Sequence, residues 1–182
     1  MVKFFKILSQ NPFQTKKIAK ILAKEILGGG LTKKVYPVGS RRDSCGALVL
    51  GLVGDLGGGK TTFLQGFAKG LGIKEKILSP SFVIIKKYKL ESRKLKVESR
   101  KKFKKTTFHI PHSTFYHIDC YRIKKPKEIL DLGFKEIVSN PKNIVAVEWA
   151  DRIKKILPKK ILILKFDFIN RNQREIEILN YV

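Results

Sequence analysis

With 182 residues, 43% of them hydrophobic, the chain has enough material for one domain with a substantial core. No apolar run approaches the ~20 residues that cross a bilayer, and the only two cysteines, Cys45 and Cys120, lack metal-ligand spacing and argue against a disulfide scaffold. Lysine and arginine number 39 against 15 acids, for a formal net charge of +24; a lysine-rich proteome is one explanation, yet such a bias alone would raise glutamate too, and the surplus creates a field that attracts polyanions, with RNA or an RNA-bearing partner as the expectation.

At the N-terminus, Met1-Val-Lys-Phe-Phe-Lys-Ile-Leu8 has charge but too short an apolar stretch for a signal peptide, and no small-residue cleavage site follows. With the lone thiols this points to the cytoplasm. Ile18, Ala19, Leu22, Ile26 and Leu27 recur at helical spacing and predict a helix over Thr15–Leu27, ended by Gly28-Gly-Gly30. Leu31–Cys45 reads as a surface loop. The apolar run Ala47–Val53 reads as a buried strand, and a helix with Phe63, Leu64, Phe67, Ala68 and Leu71 on one face follows, stopping at Gly70-Leu-Gly72. Phe82–Ile85 is a further predicted strand.

Between Lys86 and Lys105 eleven Lys or Arg stand against two Glu, with few apolar residues and no clean period. This reads as an extended hairpin or mobile loop inserted between strands, reaching to about residue 113. Thr114–Ile118 alternates and predicts a strand ending at Asp119. Pro126–Leu132 reads as a short helix begun by proline and closed by Gly133. Ile144–Val147 is a buried strand ending at Glu148-Trp149, and Asp151–Leu157 a short helix. Ile161–Ile169 and Glu175–Leu179 close the chain as a hairpin turned through Asn170-Arg-Asn172. The fold class expected is α/β: a phosphate-loop NTPase-like sheet in one domain, 1–182, with central parallel strands, antiparallel strands at the C-terminal end and helices on both faces.

The chemistry centres on Gly54-Asp-Leu-Gly-Gly-Gly-Lys60-Thr61, which spells G-x-x-x-x-G-K-T between a strand and a helix. Glycines let the backbone approach an anion, and the helix N-terminus adds partial positive charge. Lys60 would reach the β- and γ-phosphates of ATP or GTP, and the Thr61 hydroxyl would ligate Mg²⁺. Such sites need a carboxylate at a neighbouring strand end. Asp119 and Glu148 both qualify, since strand C-termini face the ligand crevice in an open α/β sheet. Ser79-Pro-Ser-Phe82 is either a turn or a switch segment whose hydroxyl senses the γ-phosphate. His117 points opposite to its strand neighbours and suits a structural hydrogen bond. Trp149, the only tryptophan, fits either the core or an exposed stacking role.

Taken together these residues resemble the TsaE (YjeE) family of bacterial phosphate-loop ATPases, which serve in making threonylcarbamoyladenosine on tRNA. The matches run in order: Thr15 on the first helix, the loop Gly54–Phe63, Ser79–Phe82 for S-P-T-F, His117-Ile-Asp-Cys-Tyr-Arg122 for H-x-D-x-Y-R, Leu132-Gly133, Glu148-Trp149 for E-W, and Arg174 before the last strand. The resemblance implies that Lys60, Asp119 and Glu148 are catalytic, with Thr61, Asp119 and Glu148 as the Mg²⁺ set. It implies nucleotide contacts from Thr15, Gly57, Gly58, Gly59, Lys60, Thr61, Thr62, Ser81, Trp149 and Arg174. It also implies an accessory role, in which the ATPase docks on a TsaB–TsaD pair, with tRNA met directly or through that complex, so that the assembly turns over repeatedly. Two departures stand out: Ser81 replaces the family threonine but keeps the hydroxyl, and the connections at Leu31–Cys45 and Lys86–Ser113 are longer than usual. A small-molecule kinase and a non-catalytic RNA-binding module share parts of this pattern.

Overall fold

The computed structural model describes residues 2–28, 46–78, 84–90, 95–97, 106–108 and 114–181. In chain order the strands are β1 (Val2–Ser9), β2 (Leu48–Gly54), β3 (Ile85–Lys89), β4 (Leu95–Val97), β5 (Thr106–Phe108), β6 (Thr114–Asp119), β7 (Asn143–Glu148), β8 (Ile161–Phe168) and β9 (Arg174–Tyr181). The helices are α1 (Pro12–Leu27), α2 (Lys60–Leu71), α3 (Pro126–Leu130), α4 (Phe134–Ser139) and a 3₁₀ helix, Ala150–Ile156.

Seven strands form one sheet in the order β1-β9-β8-β2-β7-β6-β3. Its centre is parallel: β2 pairs with β7 and β8, and β6 with β7. Its margins are antiparallel, through β8–β9 and β9–β1 at one end and β6–β3 at the other. The central strands are apolar along their length because both faces are covered. On one face Leu50 and Leu52 meet Ala19 and Leu22 of α1 and Phe63 and Phe67 of α2. On the other, Val49, Val145 and Val147 meet Ile129, Phe134 and Ile153. The α/β class with helices on both faces therefore stands. Phe63, fully buried, packs edge-on against Phe166 with centroids 5.4 Å apart; burying such a ring contributes about 1.5–3 kcal/mol.

α1 and α2 approach so closely that two glycines of α2 face the α1 backbone. A Cβ on Gly66 would lie 2.3 Å from the Lys16 carbonyl oxygen, and one on Gly70 would lie 2.6 Å from the Ala23 Cβ. Gly66→Ala should therefore push the helices apart at a cost of about 1–3 kcal/mol. The expected result is a melting temperature lower by roughly 3–10 °C, read by circular dichroism. An unchanged melting point would show that the helix pair has slack.

Several boundaries differ from expectation, each for a local reason. α1 begins at Pro12 rather than Thr15: the Asn11 side chain caps it by accepting from the Gln14 N–H at 2.9 Å, and proline occupies its first position. Phe13 is 77% exposed, so the apolar period does not reveal this first turn. Of the strand expected at Phe82–Ile85, Phe82 and Val83 lie outside the described residues, and the described strand runs Ile85–Lys89. Its lysines are tolerated because it is an edge strand on which only Tyr88 is buried, against Phe115. Lys86–Lys89 thus belong to the main sheet rather than to the insert, and within the remaining basic stretch β4 and β5 form an antiparallel hairpin.

The expected helix Pro126–Leu132 ends at Leu130. Gly133, at φ +79°, opens α4, a helix that the sequence reading lacks because it is six residues long and buries only Phe134. β1 was likewise not expected. It is an edge strand with Phe5 and Leu8 about half exposed, so no alternation marks it. The loop expected at Leu31–Cys45 lies outside the described residues.

Candidate active site at the phosphate loop

Parallel β2, β6 and β7 end at the same edge of the sheet, which brings Gly54, Asp119 and Glu148 together; Asp119 and Glu148 are register partners. The loop leaving β2 turns through Gly57 at φ +75° and Gly59 at φ +95°, left-handed conformations that glycine adopts without strain. α2 starts immediately afterwards at Lys60, so its unpaired N–H groups face a cavity of about 530 Å³ lined by Gly57–Thr62, Asp119, Glu148 and Trp149.

Lys60 Nζ donates to the carbonyls of Gly54 (2.6 Å) and Asp55 (2.8 Å) and lies 3.9 Å from the Trp149 ring centroid. Burial pushes its ammonium below the ordinary lysine value, while Glu148 and Asp119 act to keep it charged. Thr61 Oγ1 stands 3.0 and 2.9 Å from the two Glu148 carboxylate oxygens. Glu148, only 2% exposed, takes a second hydrogen bond at Oε1 from His117 Nε2, 2.8 Å away in a fully buried ring. An ionised carboxylate accepts only, so this contact places the imidazole proton on Nε2. His117 Nδ1 is buried with no hydrogen-bond partner among the described residues. Asp119 Oδ1 accepts from the Tyr121 N–H at 2.9 Å, which fixes the carboxylate at the turn after β6.

Trp149 leaves β7 in the left-handed region (φ 59°, ψ 43°), the one non-glycine residue at positive φ among those described. Such a conformation costs about 1–3 kcal/mol and needs support. The Tyr121 ring, 5.1 Å away, and the Arg152 guanidinium, 5.6 Å away, supply it.

Two residues expected to contact nucleotide are held here by protein partners. Arg174 donates through Nε and Nη2 to the Gly57 carbonyl at 3.1 and 2.9 Å, and through Nη1 to the carbonyls of Asn170 and Gln173 at 2.7 and 2.8 Å. It braces the phosphate loop through the Gly57 carbonyl. Thr15 is buried with its hydroxyl 2.7 Å from that of Ser9, tying the start of α1 to the end of β1. Ser81 lies outside the described residues. Conversely, the link from His117 to Glu148 was absent from the site expected from sequence. The only signal for it was that His117, two residues before Asp119, shares the inward alternation of a strand next to β7.

Cys120 follows Asp119 and is fully buried; burial first, then Asp119 and Asp151, pushes its thiol up to about 12. At pH 8 its thiolate fraction is on the order of 10⁻⁴. Iodoacetamide should therefore leave Cys120 unmodified in the native protein and label it after denaturation, as read by peptide mass spectrometry.

Residues 9–176 match the family model described as threonylcarbamoyl adenosine biosynthesis protein TsaE. The chain is 34% identical over 175 residues to the tRNA threonylcarbamoyladenosine biosynthesis protein TsaE of Bacillus subtilis, covering 96% of this chain and 85% of that one. It is 28% identical over 174 residues to the Rickettsia felis protein of the same name, covering 95% and 78%. The crystal structure of Bacillus subtilis YdiB superposes with a TM-score of 0.65 at 28% identity, over 100% of this chain and 89% of that one. With the phosphate loop, the strand-end carboxylates and the glutamate–tryptophan pair in one cavity, and with a match across nearly the whole length, the chain belongs to the TsaE family.

Proposed function

We propose that the protein is a Mg²⁺-dependent ATP hydrolase that serves as an accessory in threonylcarbamoyladenosine modification of tRNA, docking on a TsaB–TsaD pair in the cytoplasm. The observation that carries the hydrolase reading is the Thr61–Glu148 hydrogen bond beside Lys60 at the mouth of α2. It sets a hydroxyl and a carboxylate, both hard oxygen donors, within reach of one point, with Asp119 on the adjoining strand. Such a donor set suits Mg²⁺, which takes one or two carboxylates and completes its shell with phosphate oxygens and water.

In this reading the N–H groups of Gly57–Thr62 and the Lys60 ammonium hold the phosphates. Thr61, Glu148 and Asp119 hold Mg²⁺ directly or through water. The ion, when bound, neutralises charge that develops on the transferred phosphoryl group. Glu148, held on both sides by Thr61 and His117, orients the attacking water. Trp149 covers the Lys60 side of the cavity and limits access of bulk water. Among the described residues no helix is long and apolar enough to cross a membrane.

Two measurements test this. Incubation with γ-labelled ATP should release free phosphate, whereas a labelled small molecule would support a kinase instead. The TsaB–TsaD pair should retain the chain in an ATP-dependent way, and loss of that dependence would remove the accessory role. The basic hairpin supports direct contact with tRNA as a further part of the proposal. Exchanging the lysines and arginines between positions 93 and 105 for glutamine should leave intrinsic hydrolysis nearly unchanged, weaken tRNA binding and flatten its salt dependence. Equal binding across a salt series would reduce the hairpin's charge to composition.

A further inference from the structure

A second cavity, of about 380 Å³, shares no lining residue with the nucleotide cavity. It runs between the 3₁₀ helix and β8. Its floor is apolar, built from Ile161 and Ile163 of β8 and Ala150 at the start of the helix, and Val53, Leu157 and Pro158 leave it half-open. Lys154 and Lys159, both exposed, stand at its margin, with Asp151 as the one acid among its lining residues.

We infer that this groove is a docking site for a segment of a protein partner that carries an apolar side chain flanked by carboxylates. The lysines select negative charge, and the apolar floor decides which kind. A nucleic-acid backbone would satisfy the lysines but leave the groove unfilled, whereas an aliphatic or aromatic side chain buries there while neighbouring acids meet the margin. This assignment rests on the reading that the TsaB–TsaD pair is the partner.

The groove's place in the fold gives it access to the active site. The 3₁₀ helix begins one residue after Trp149 and two after Glu148. Its first turn sits hard on the sheet: a Cβ on Gly51 would lie 2.8 Å from Ile163 Cδ1 and 3.0 Å from the Ala150 Cβ. A segment seated against Lys154 and Leu157 thus bears on a helix whose first residue is packed against the sheet and whose near end carries the tryptophan over Lys60.

The test uses the full-length chain and the TsaB–TsaD pair. The double charge reversal Lys154→Glu with Lys159→Glu alters exposed side chains outside the catalytic set, so folding and intrinsic ATP hydrolysis should stay within about twofold of the parent, while affinity for the pair should fall at least about tenfold. Leu157→Glu should give the same loss by placing a like charge in the groove. Lys142→Glu, at the opposite end of β7, should change nothing and controls for bulk charge. If the parent binds the pair and the double variant binds equally well, or Lys142→Glu weakens binding as much, the groove assignment is overturned and the partner reading survives. If the double variant loses tRNA but not the pair, the surface belongs to RNA and the assignment also falls. If the parent itself does not bind the pair, the partner reading fails and takes the groove's occupant with it.

Discussion

Lys60→Ala should abolish ATP turnover while leaving a folded protein. The Lys60 ammonium makes its two hydrogen bonds to loop carbonyls and none to the core, and its contact with Trp149 is at the cavity edge. Removing it takes one positive charge from a site where burial has already stripped much of the water, so the phosphates would lose a charge-assisted partner with nothing to replace it. A loss of at least ~100-fold in hydrolysis is expected, comparable to deleting one electrostatic donor from a pre-organised site. The Gly54 and Asp55 carbonyls return to solvent at the loop, which limits the effect on stability. Hydrolysis rates and a melting curve on the same preparation check this. Parental turnover in a folded Lys60→Ala protein would sink the nucleotide-site assignment.

Glu148→Gln and Asp119→Asn should each lower the hydrolysis rate by roughly 100-fold or more, because both keep the side-chain shape and remove the charge that organises Mg²⁺ and water. Their effects on stability should differ. The Glu148 carboxylate accepts from two donors, Thr61 Oγ1 and His117 Nε2. A glutamine oxygen in the place of Oε1, 3.0 Å from Thr61 Oγ1 and 2.8 Å from His117 Nε2, can accept from both donors, but as a neutral acceptor it strips both bonds of their charge assistance. That loss is worth about 1 kcal/mol per buried bond, so Glu148→Gln should also melt earlier. Asp119 accepts from the Tyr121 N–H, and the asparagine oxygen can do the same, so Asp119→Asn should melt close to the parent. If either variant hydrolyses ATP at the parental rate, that carboxylate has no part in the reaction. If Glu148→Gln melts like the parent, the buried His117–Glu148 link is energetically empty.

The sequence by itself determined those parts of the protein whose physics is local. The phosphate loop was legible because glycines at positive φ, a preceding apolar strand and a following helix are neighbours in the chain. β2 and β7 were legible because a strand covered on both faces must be apolar throughout, and Asp119 and Glu148 because each ends a predicted strand, the first alternating and the second apolar. Only the tertiary structure decided what each of those residues touches. Parallel pairing of β6 and β7 joins His117 to Glu148 across 31 positions, and α2 brings Thr61 to the same carboxylate across 87. Arg174 and Thr15 carry motif positions, yet packing turns one onto a loop carbonyl and the other onto Ser9. The edge strand β1 and the short α4 escaped the sequence reading, and most of β3 was assigned to the basic insert, for a related reason. An element that buries few of its described residues leaves little period in its own composition, because its stability comes from the neighbour it packs against.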